Sequence, residues 1–254
     1  MPFTLSVAII TKNEEANLPR TLLSVRWADE IVIVDDGSTD RTPEIARECG
    51  AKFFLEEWKG FGAQKNSAIA KCAGDWVLSL DADEEVSGEL AQEIRALLTG
   101  EPQHRAYLLP RRNFFLGRWI RHGGYYPDPK LRLFRRGSAQ FEENAVHETM
   151  RSTSPAGRLR GDLLHHAYPT LENYIEHMNR YSTLGATQAT ARGKTSRSIF
   201  AFLWNVVVVP IATFKYNYFL RLGFLDGREG LLQHLYHSTY VSWKYAKAWE
   251  KARS

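Results

Sequence analysis

Ile31-Val32-Ile33-Val34-Asp35-Asp36-Gly37-Ser38-Thr39-Asp40-Arg41-Thr42-Pro43 reads as the end of a buried strand, a polar turn and the start of a helix. Four consecutive β-branched residues suit a strand covered on both faces. Asp, Gly and Ser break that run. Thr42 is placed to cap a helix, and Pro43 suits its first turn, where a missing N–H leaves no intrahelical bond unmade. The chain repeats this pattern on both sides. Upstream, residues 5–10 (Leu-Ser-Val-Ala-Ile-Ile) form a short apolar run, and residues 17–25 follow with helical spacing. Downstream, Gly50 stops the helix and residues 51–55 read as a third strand. A helix at 63–72 ends by Gly74, and Trp76-Val77-Leu78-Ser79-Leu80 is a fourth strand. Ser87 then caps a helix reaching about residue 98. Strands alternating with helices predict an α/β fold with a parallel, doubly wound sheet.

The 254 residues suffice for one such domain and an appendage. The hydrophobic share of 44% provides a core, and the charged share of 24% is that of a globular chain. Net charge is +4, with carboxylates crowded into the N-terminal half and basic and aromatic residues into the C-terminal half. Cys49 and Cys72 form no CxxC and read as small buried residues. Residues 1–10 lack the basic and apolar regions of a secretion signal, and no apolar run reaches the ~18–20 residues of a membrane span. No nucleic-acid reader motif is present, so nucleic acid is not an expected partner.

In open α/β sheets, ligands bind at the carboxyl ends of strands. Three predicted strands end there in polar clusters: Thr11-Lys12-Asn13-Glu14, Asp35-Asp36-Gly37-Ser38-Thr39-Asp40 and Asp81-Ala82-Asp83-Glu84. Asp81 and Asp83 leave their strand pointing the same way, and two such carboxylates repel unless a cation joins them. Hard oxygen ligands favour Mg²⁺ or Mn²⁺. An acidic entry loop for the next helix is the plainer alternative. Asp35 and Asp36 either cap a βα turn or accept hydrogen bonds from a nucleotide base and ribose. Lys65 either counters a diphosphate or is a solvated surface lysine. The absence of G-x-G-x-x-G after the first strand argues against a dinucleotide site.

Ile10-Thr11-Lys12-Asn13-Glu14, Asp35-Asp36-Gly37-Ser38-Thr39-Asp40, Gln64-Lys65-Asn66 and the run from Gly74 through Asp81-Ala82-Asp83-Glu84 resemble the successive signatures of family 2 glycosyltransferases. The resemblance covers residues 5–90. It implies a GT-A fold, an inverting reaction and nucleotide-sugar recognition by Thr11, Asn13, Glu14, Asp35, Asp36, Lys65 and Asp81. It also implies a divalent cation, Mg²⁺ or Mn²⁺, held through Asp81 and Asp83. The second half resembles bacterial lipopolysaccharide inner-core β-1,4-glucosyltransferases in His122-Gly123-Gly124-Tyr125-Tyr126-Pro127-Asp128, Leu131-Arg132-Leu133-Phe134-Arg135-Arg136, Val146-His147-Glu148 and residues 223–230. That implies UDP-glucose as donor and a lipid-linked glycan acceptor. An inverting transferase needs a carboxylate base, and either Asp128 or Glu148 is placed to serve. His147 is a candidate metal ligand, or else a satisfied structural histidine.

Residues 198–214 are mostly apolar but interrupted by Asn205 and Pro210. Aromatic side chains and Lys194, Arg197, Lys215 and Arg221 surround them. This composition suits a membrane interface better than a span. The expected organisation is therefore a GT-A catalytic domain over residues 1–191 and a helical, membrane-associating extension over 192–254, divided at Arg192-Gly193-Lys194. The expected location is cytoplasmic, peripheral on the inner face of a bacterial inner membrane. Transfer to a polyprenyl phosphate, or nucleotide binding at a membrane without turnover, are the alternatives.

Overall fold

A computed structural model describes residues 3–142 and 149–253. The chain forms two compact units, residues 1–111 with 128–165, and residues 112–127 with 166–254.

The first unit is built on a seven-stranded sheet. Its strands are β1 (Leu5–Thr11), β2 (Glu30–Asp35), β3 (Lys52–Leu55), β4 (Trp76–Asp81), β5 (Ala106–Leu109), β6 (Lys130–Arg135) and β7 (Gly157–Arg158), in the order β7-β5-β6-β4-β1-β2-β3. β4, β1, β2 and β3 run parallel, and β6 is antiparallel to both neighbours. The period-2 alternation of β1 sorts its side chains between two cores. Leu5, Val7 and Ile9 pack with Leu18, Leu22 and Val25 of α1 (Leu18–Val25), Ala46 of α2 (Thr42–Glu48), and Leu90, Ile94 and Leu98 of α4 (Gly88–Thr99). Ala8, Val32 and Val34 face Ala68 of α3 (Phe61–Ala70) and Phe134. Each fully buried Leu or Ile contributes ~1.5–3 kcal/mol relative to exposure. Gly74 lies where a methyl group would come within 2.7 Å of the Ser6 hydroxyl and 2.8 Å of its amide nitrogen. Only glycine lets the chain enter β4 so close to β1. The expected α/β, doubly wound, mostly parallel sheet is the sheet observed, and Ser87 caps α4 as expected, accepting from Leu90 N at 3.2 Å.

Two local expectations are corrected. The Thr42 hydroxyl does not cap α2. It is buried and accepts the Glu14 amide at 2.8 Å, while Asp40 Oδ1 accepts the Thr42 amide at 3.0 Å. Cys49 is exposed at the end of α2, and only Cys72 is buried.

The second unit pairs α5 (Leu171–Ala191), capped by Thr170, with α8 (Gly227–Lys251). Ala186, Ala189 and Ala248 let the two helices approach closely. Lys247 Nζ donates to Asn179 O, Ser182 Oγ and Thr183 Oγ1 at 2.9, 2.7 and 2.9 Å. α5 therefore belongs with the C-terminal region, whereas the expected boundary at 191/192 placed it with the N-terminal domain. A glycine-rich joint does follow α5, but the packing face of that helix is matched to α8.

Between them lies a continuous helical run, Ile199–Leu220, made of α6 (Ile199–Leu203), α7 (Val209–Lys215) and two π-helical turns, Trp204–Val208 and Tyr216–Leu220. At 22 residues it is about 33 Å long and apolar enough to cross a membrane, which corrects the expectation that no run reaches that length. Pro210 does not break it. The Val206 carbonyl, four residues earlier, instead accepts from Ser242 Oγ of α8 at 2.8 Å. Trp249 of α8 packs on Phe202 with centroids 5.0 Å apart.

Candidate active site

The site grows from the strand register of the first unit. Thr11 of β1 lies opposite Asp35 of β2, and Ile10 opposite Asp81 of β4, so the three polar clusters leave the sheet side by side. The first two loops are laced together. Asp35 is fully buried and accepts from Thr11 Oγ1 at 2.8 Å, Ser38 N at 2.7 Å and Ser38 Oγ at 2.6 Å. Asn13 donates its amide to Ser38 Oγ at 2.7 Å and accepts Thr39 N at 2.8 Å. Asp35 and Asn13 therefore shape the loop. Asp36 stays accessible, 3.5 Å from the Lys12 ammonium. Glu14 is driven up to about 7, first by burial and then by the charges of Asp83, Asp40 and Asp81, against a hydrogen bond from Asn17.

The third loop sits in a charge network that runs through the unit. Asp81 is gripped by Lys65 Nζ at 2.6 Å and Arg132 Nη2 at 2.5 Å. Arg132 also reaches Glu84 at 2.8 Å, and Glu84, with no exposed surface, takes Arg111 Nη1 at 3.0 Å. Arg111 continues to Asp128 at 2.7 Å, and Lys130 closes on the other Asp128 oxygen at 2.9 Å. Asp83 Oδ2 lies 3.3 Å from His165 Nε2. Burial alone would raise Asp81, but Arg132 and Lys65 outweigh it and hold its carboxyl well below the usual range. Burial likewise opposes, and His165 overcomes, the shift of Asp83, which is also lowered. Asp128 is lowered to about 2 by Arg111 and Lys130 against its burial.

Of the residues expected from sequence, Thr11, Asn13, Glu14, Asp35, Asp36, Lys65, Asp81, Asp83 and Asp128 all fall in the first unit. Lys65, Asp81 and Asp128 belong to one connected network. His147 and Glu148 lie outside the described residues. The sequence reading missed Arg111, Arg132, Glu84 and His165. Arg132 did carry a signal, a charge inside the apolar strand Leu131–Phe134. So did Glu84, the unassigned third acid of Asp81-Ala82-Asp83-Glu84.

Among the described residues, no group of three or more His, Cys, Asp or Glu is arranged to hold a metal ion. The donors nearest that role are Asp83 and His165, a carboxylate and an imidazole converging within 3.3 Å. Divalent Mg²⁺ and Mn²⁺ are commonly held by one or two protein ligands and completed by water and substrate phosphates, so this pair fits such an ion. Asp81, already neutralised by two cations, is less suited to be its main ligand.

The model of glycosyl transferase family 2 matches residues 6–160. The chain is 32% identical to a lipopolysaccharide core biosynthesis glycosyltransferase, LpsC, of Rhizobium meliloti, over 97% of this chain and 92% of that one. It is 31% identical to the glycosyltransferase RT0209 of Rickettsia typhi, over 91% and 82% of the two chains. Among solved structures, the mannosyltransferase PcManGT from Pyrobaculum calidifontis, in complex with GDP-Man and Mn²⁺, superposes with a TM-score of 0.56 at 16% identity, covering 99% of this chain and 88% of that one. That likeness shows the GT-A fold. With its parallel sheet, its acidic loops at the strand ends and a family match spanning most of its length, the chain belongs to glycosyl transferase family 2.

Proposed function

We propose that the chain transfers a hexose, glucose from UDP-glucose, to a membrane-borne glycolipid of the lipopolysaccharide core type, with inversion at the sugar carbon. The observation that carries this reading is the convergence of the β1, β2 and β4 loops on Asp36, Lys65, Asp81 and Asp83. The lipopolysaccharide role of the Rhizobium relative supports the choice of acceptor.

Asp36 and Thr11 face the nucleoside, within a loop that Asp35 and Asn13 hold rigid. Lys65 and Arg132, paired through Asp81, supply positive charge for the diphosphate as it leaves. Asp83 and His165, 3.3 Å apart, would hold the divalent cation, with His147 as a further candidate ligand. When bound, a cation of this kind neutralises charge on the departing diphosphate. Asp128 is a weak proton acceptor while Arg111 and Lys130 hold it near 2, so we assign deprotonation of the acceptor hydroxyl to Glu148.

The membrane contact is the Ile199–Leu220 helix. Phe200, Trp204 and Phe219 are exposed along it. One side of the run packs on α8, which carries Lys244, Lys247, Glu250 and Lys251 and is too charged to enter hydrocarbon alongside it. The helix therefore lies in the interface, and attachment is peripheral, on the cytoplasmic face.

The test is donor hydrolysis across nucleotide sugars with Mg²⁺ or Mn²⁺. UDP-glucose should turn over, and Asp83→Asn should lower the rate by about 10²–10³-fold while the protein stays folded. Chelator-insensitive turnover, or a fully active Asp83→Asn variant, would sink the cation's role. Glu148→Gln should slow acceptor transfer by ~10²–10⁴-fold and leave donor affinity unchanged, and Asp128→Asn should slow it less.

A further inference from the structure

A second arrangement of chemistry lies wholly within the second unit, where residues 118–126 meet the turn before α8. Asp226 precedes that helix at the capping position, yet its side chain makes no cap. Its Oδ2 instead accepts the main-chain amides of Arg121 at 3.1 Å and His122 at 2.7 Å, and its Oδ1 lies 2.8 Å from His122 Nδ1. Leaving a helix uncapped costs stability, so this buried carboxylate is committed to the loop at the expense of its own helix. Facing a carboxylate that already accepts two N–H groups, Nδ1 is the protonated ring nitrogen. Nε2 is left as a lone pair on a half-exposed ring, with no hydrogen bond among the described residues.

The surroundings are cationic and aromatic. Residues 112–127 and 221–230 contain Arg112, Arg118, Arg121, Arg221 and Arg228 against Asp226 and Glu229. Asp226 is already engaged, and Glu229 lies 3.7 Å from Arg118. The Arg221 guanidinium rests on Gly124 so closely that a methyl there would fall 2.2 Å from Nη1, and the Arg221 carbonyl accepts Gly123 N at 2.9 Å. Arg121 and Arg112 stack over Trp119 at 5.3 and 4.5 Å, and Tyr126 meets the indole edge-on at 5.1 Å. Gly123, at φ 69°, allows the loop to sit against the His234 ring, which a methyl would strike at 2.0 Å. The loop is thus held from beneath by α8 while Arg121, His122 and Arg221 keep exposed surface.

We propose that His122, Arg121 and Arg221 form a subsite for a phosphate group borne by the sugar acceptor, with Trp119 holding the Arg121 guanidinium from one side. The phosphate takes hydrogen bonds from the two guanidiniums, and Nε2 accepts one from a phosphate or sugar hydroxyl, the ring being held in place by the Asp226 carboxylate behind Nδ1. This inference rests on the transferase reading and names the chemistry of its acceptor. The acceptor sugar is phosphorylated, and the charge is read by the same unit that carries the apolar helix.

The experiment titrates the full chain with mannose 6-phosphate, mannose, inorganic phosphate and phosphatidylcholine vesicles containing phosphatidic acid, following heat release and the ¹⁵N signals of the histidine rings. Mannose 6-phosphate should bind at least about tenfold more tightly than mannose or inorganic phosphate and shift the His122 Nε2 signal. His122→Ala and Arg221→Ala, both at the surface, should each weaken it by about tenfold or more. Equal binding of phosphorylated and plain sugar, or binding unchanged by both variants, overturns the proposal. So does a preference for phosphatidic acid vesicles lost in the same variants, which would make this a lipid head-group contact. UDP titrated into the same samples reports on the donor reading separately. A chain that binds the sugar phosphate but not the nucleotide keeps this subsite and sinks that reading, and the converse result does the opposite.

Discussion

Glu14 shows how a single residue records a conflict between stability and chemistry. Its carboxyl is raised to about 7 by burial and by neighbouring acids. Below about pH 4.5 it is protonated in both folded and unfolded chains and makes no difference. As the pH climbs toward 7, the unfolded chain ionises while the folded one resists, so stability falls across that window. Glu14→Gln should therefore raise the thermal midpoint at pH 8, by the equivalent of about 3 kcal/mol, and leave it unchanged at pH 4. Identical shifts at both pH values would show that Glu14 is not strained. Gly74→Ala should cost about 2–3 kcal/mol in a denaturant titration, because the added methyl meets β1 backbone rather than a flexible side-chain tip. Residues such as Asp81, Asp83 and Lys65 were legible because spacing along a strand end places them. Arg132 and Glu84 were harder to assign, because each is buried through a partner 48 residues away, and a charge beside apolar residues does not say where its partner lies. Thr42 misled for a related reason. Its local setting is that of a cap, and its hydroxyl is claimed by Glu14 from another loop.

Elements were more legible than their joints. The strands and helices of the first unit follow from apolar period and from Gly, Pro and Ser punctuation, and their observed bounds lie close to the expected ones. Prediction failed at Ile199–Leu220, where Asn205 and Pro210 looked like interruptions. Both are accommodated by side chains outside the run, since Asn205 Nδ2 donates to Ser196 Oγ at 3.0 Å and the carbonyl freed by Pro210 is taken by Ser242. As an interfacial helix it should hold the protein on anionic vesicles, through apolar burial and ~1 kcal/mol for each nearby Lys or Arg, with the second contribution weakened by salt. Replacing Phe200, Trp204 and Phe219 together by Ser should move the protein from the vesicle pellet to the supernatant. If parent and variant co-sediment equally, the segment is not the membrane contact. Resistance of the parent to carbonate extraction would mean that it spans the bilayer rather than lying on it.

At the scale of the whole molecule, the chain passes between its two units three times, after Arg111, Pro127 and His165. No single cut separates them, which is why a boundary drawn from composition alone at residue 191 divides a packed helix pair. A chain ended at residue 191 should lose the partner of α5, leaving Tyr174, Ala186 and Ala189 without cover. It should bind a hydrophobic dye and precipitate, and a well-behaved 1–191 fragment would refute this account of the packing. The same interleaving has a consequence for synthesis on the ribosome. Arg121 waits for Asp226, 105 residues behind it. At ~5–20 residues per second, the loop bearing Trp119, Tyr125 and Tyr126 emerges roughly 5–20 s before its anchor. Through that interval a nascent chain whose sheet has already closed trails an aromatic loop with nothing to dock on, a natural client for a ribosome-bound chaperone. Stalled chains ending at residue 220 should be cleaved by protease within residues 112–127, and released full-length chains should be protected there.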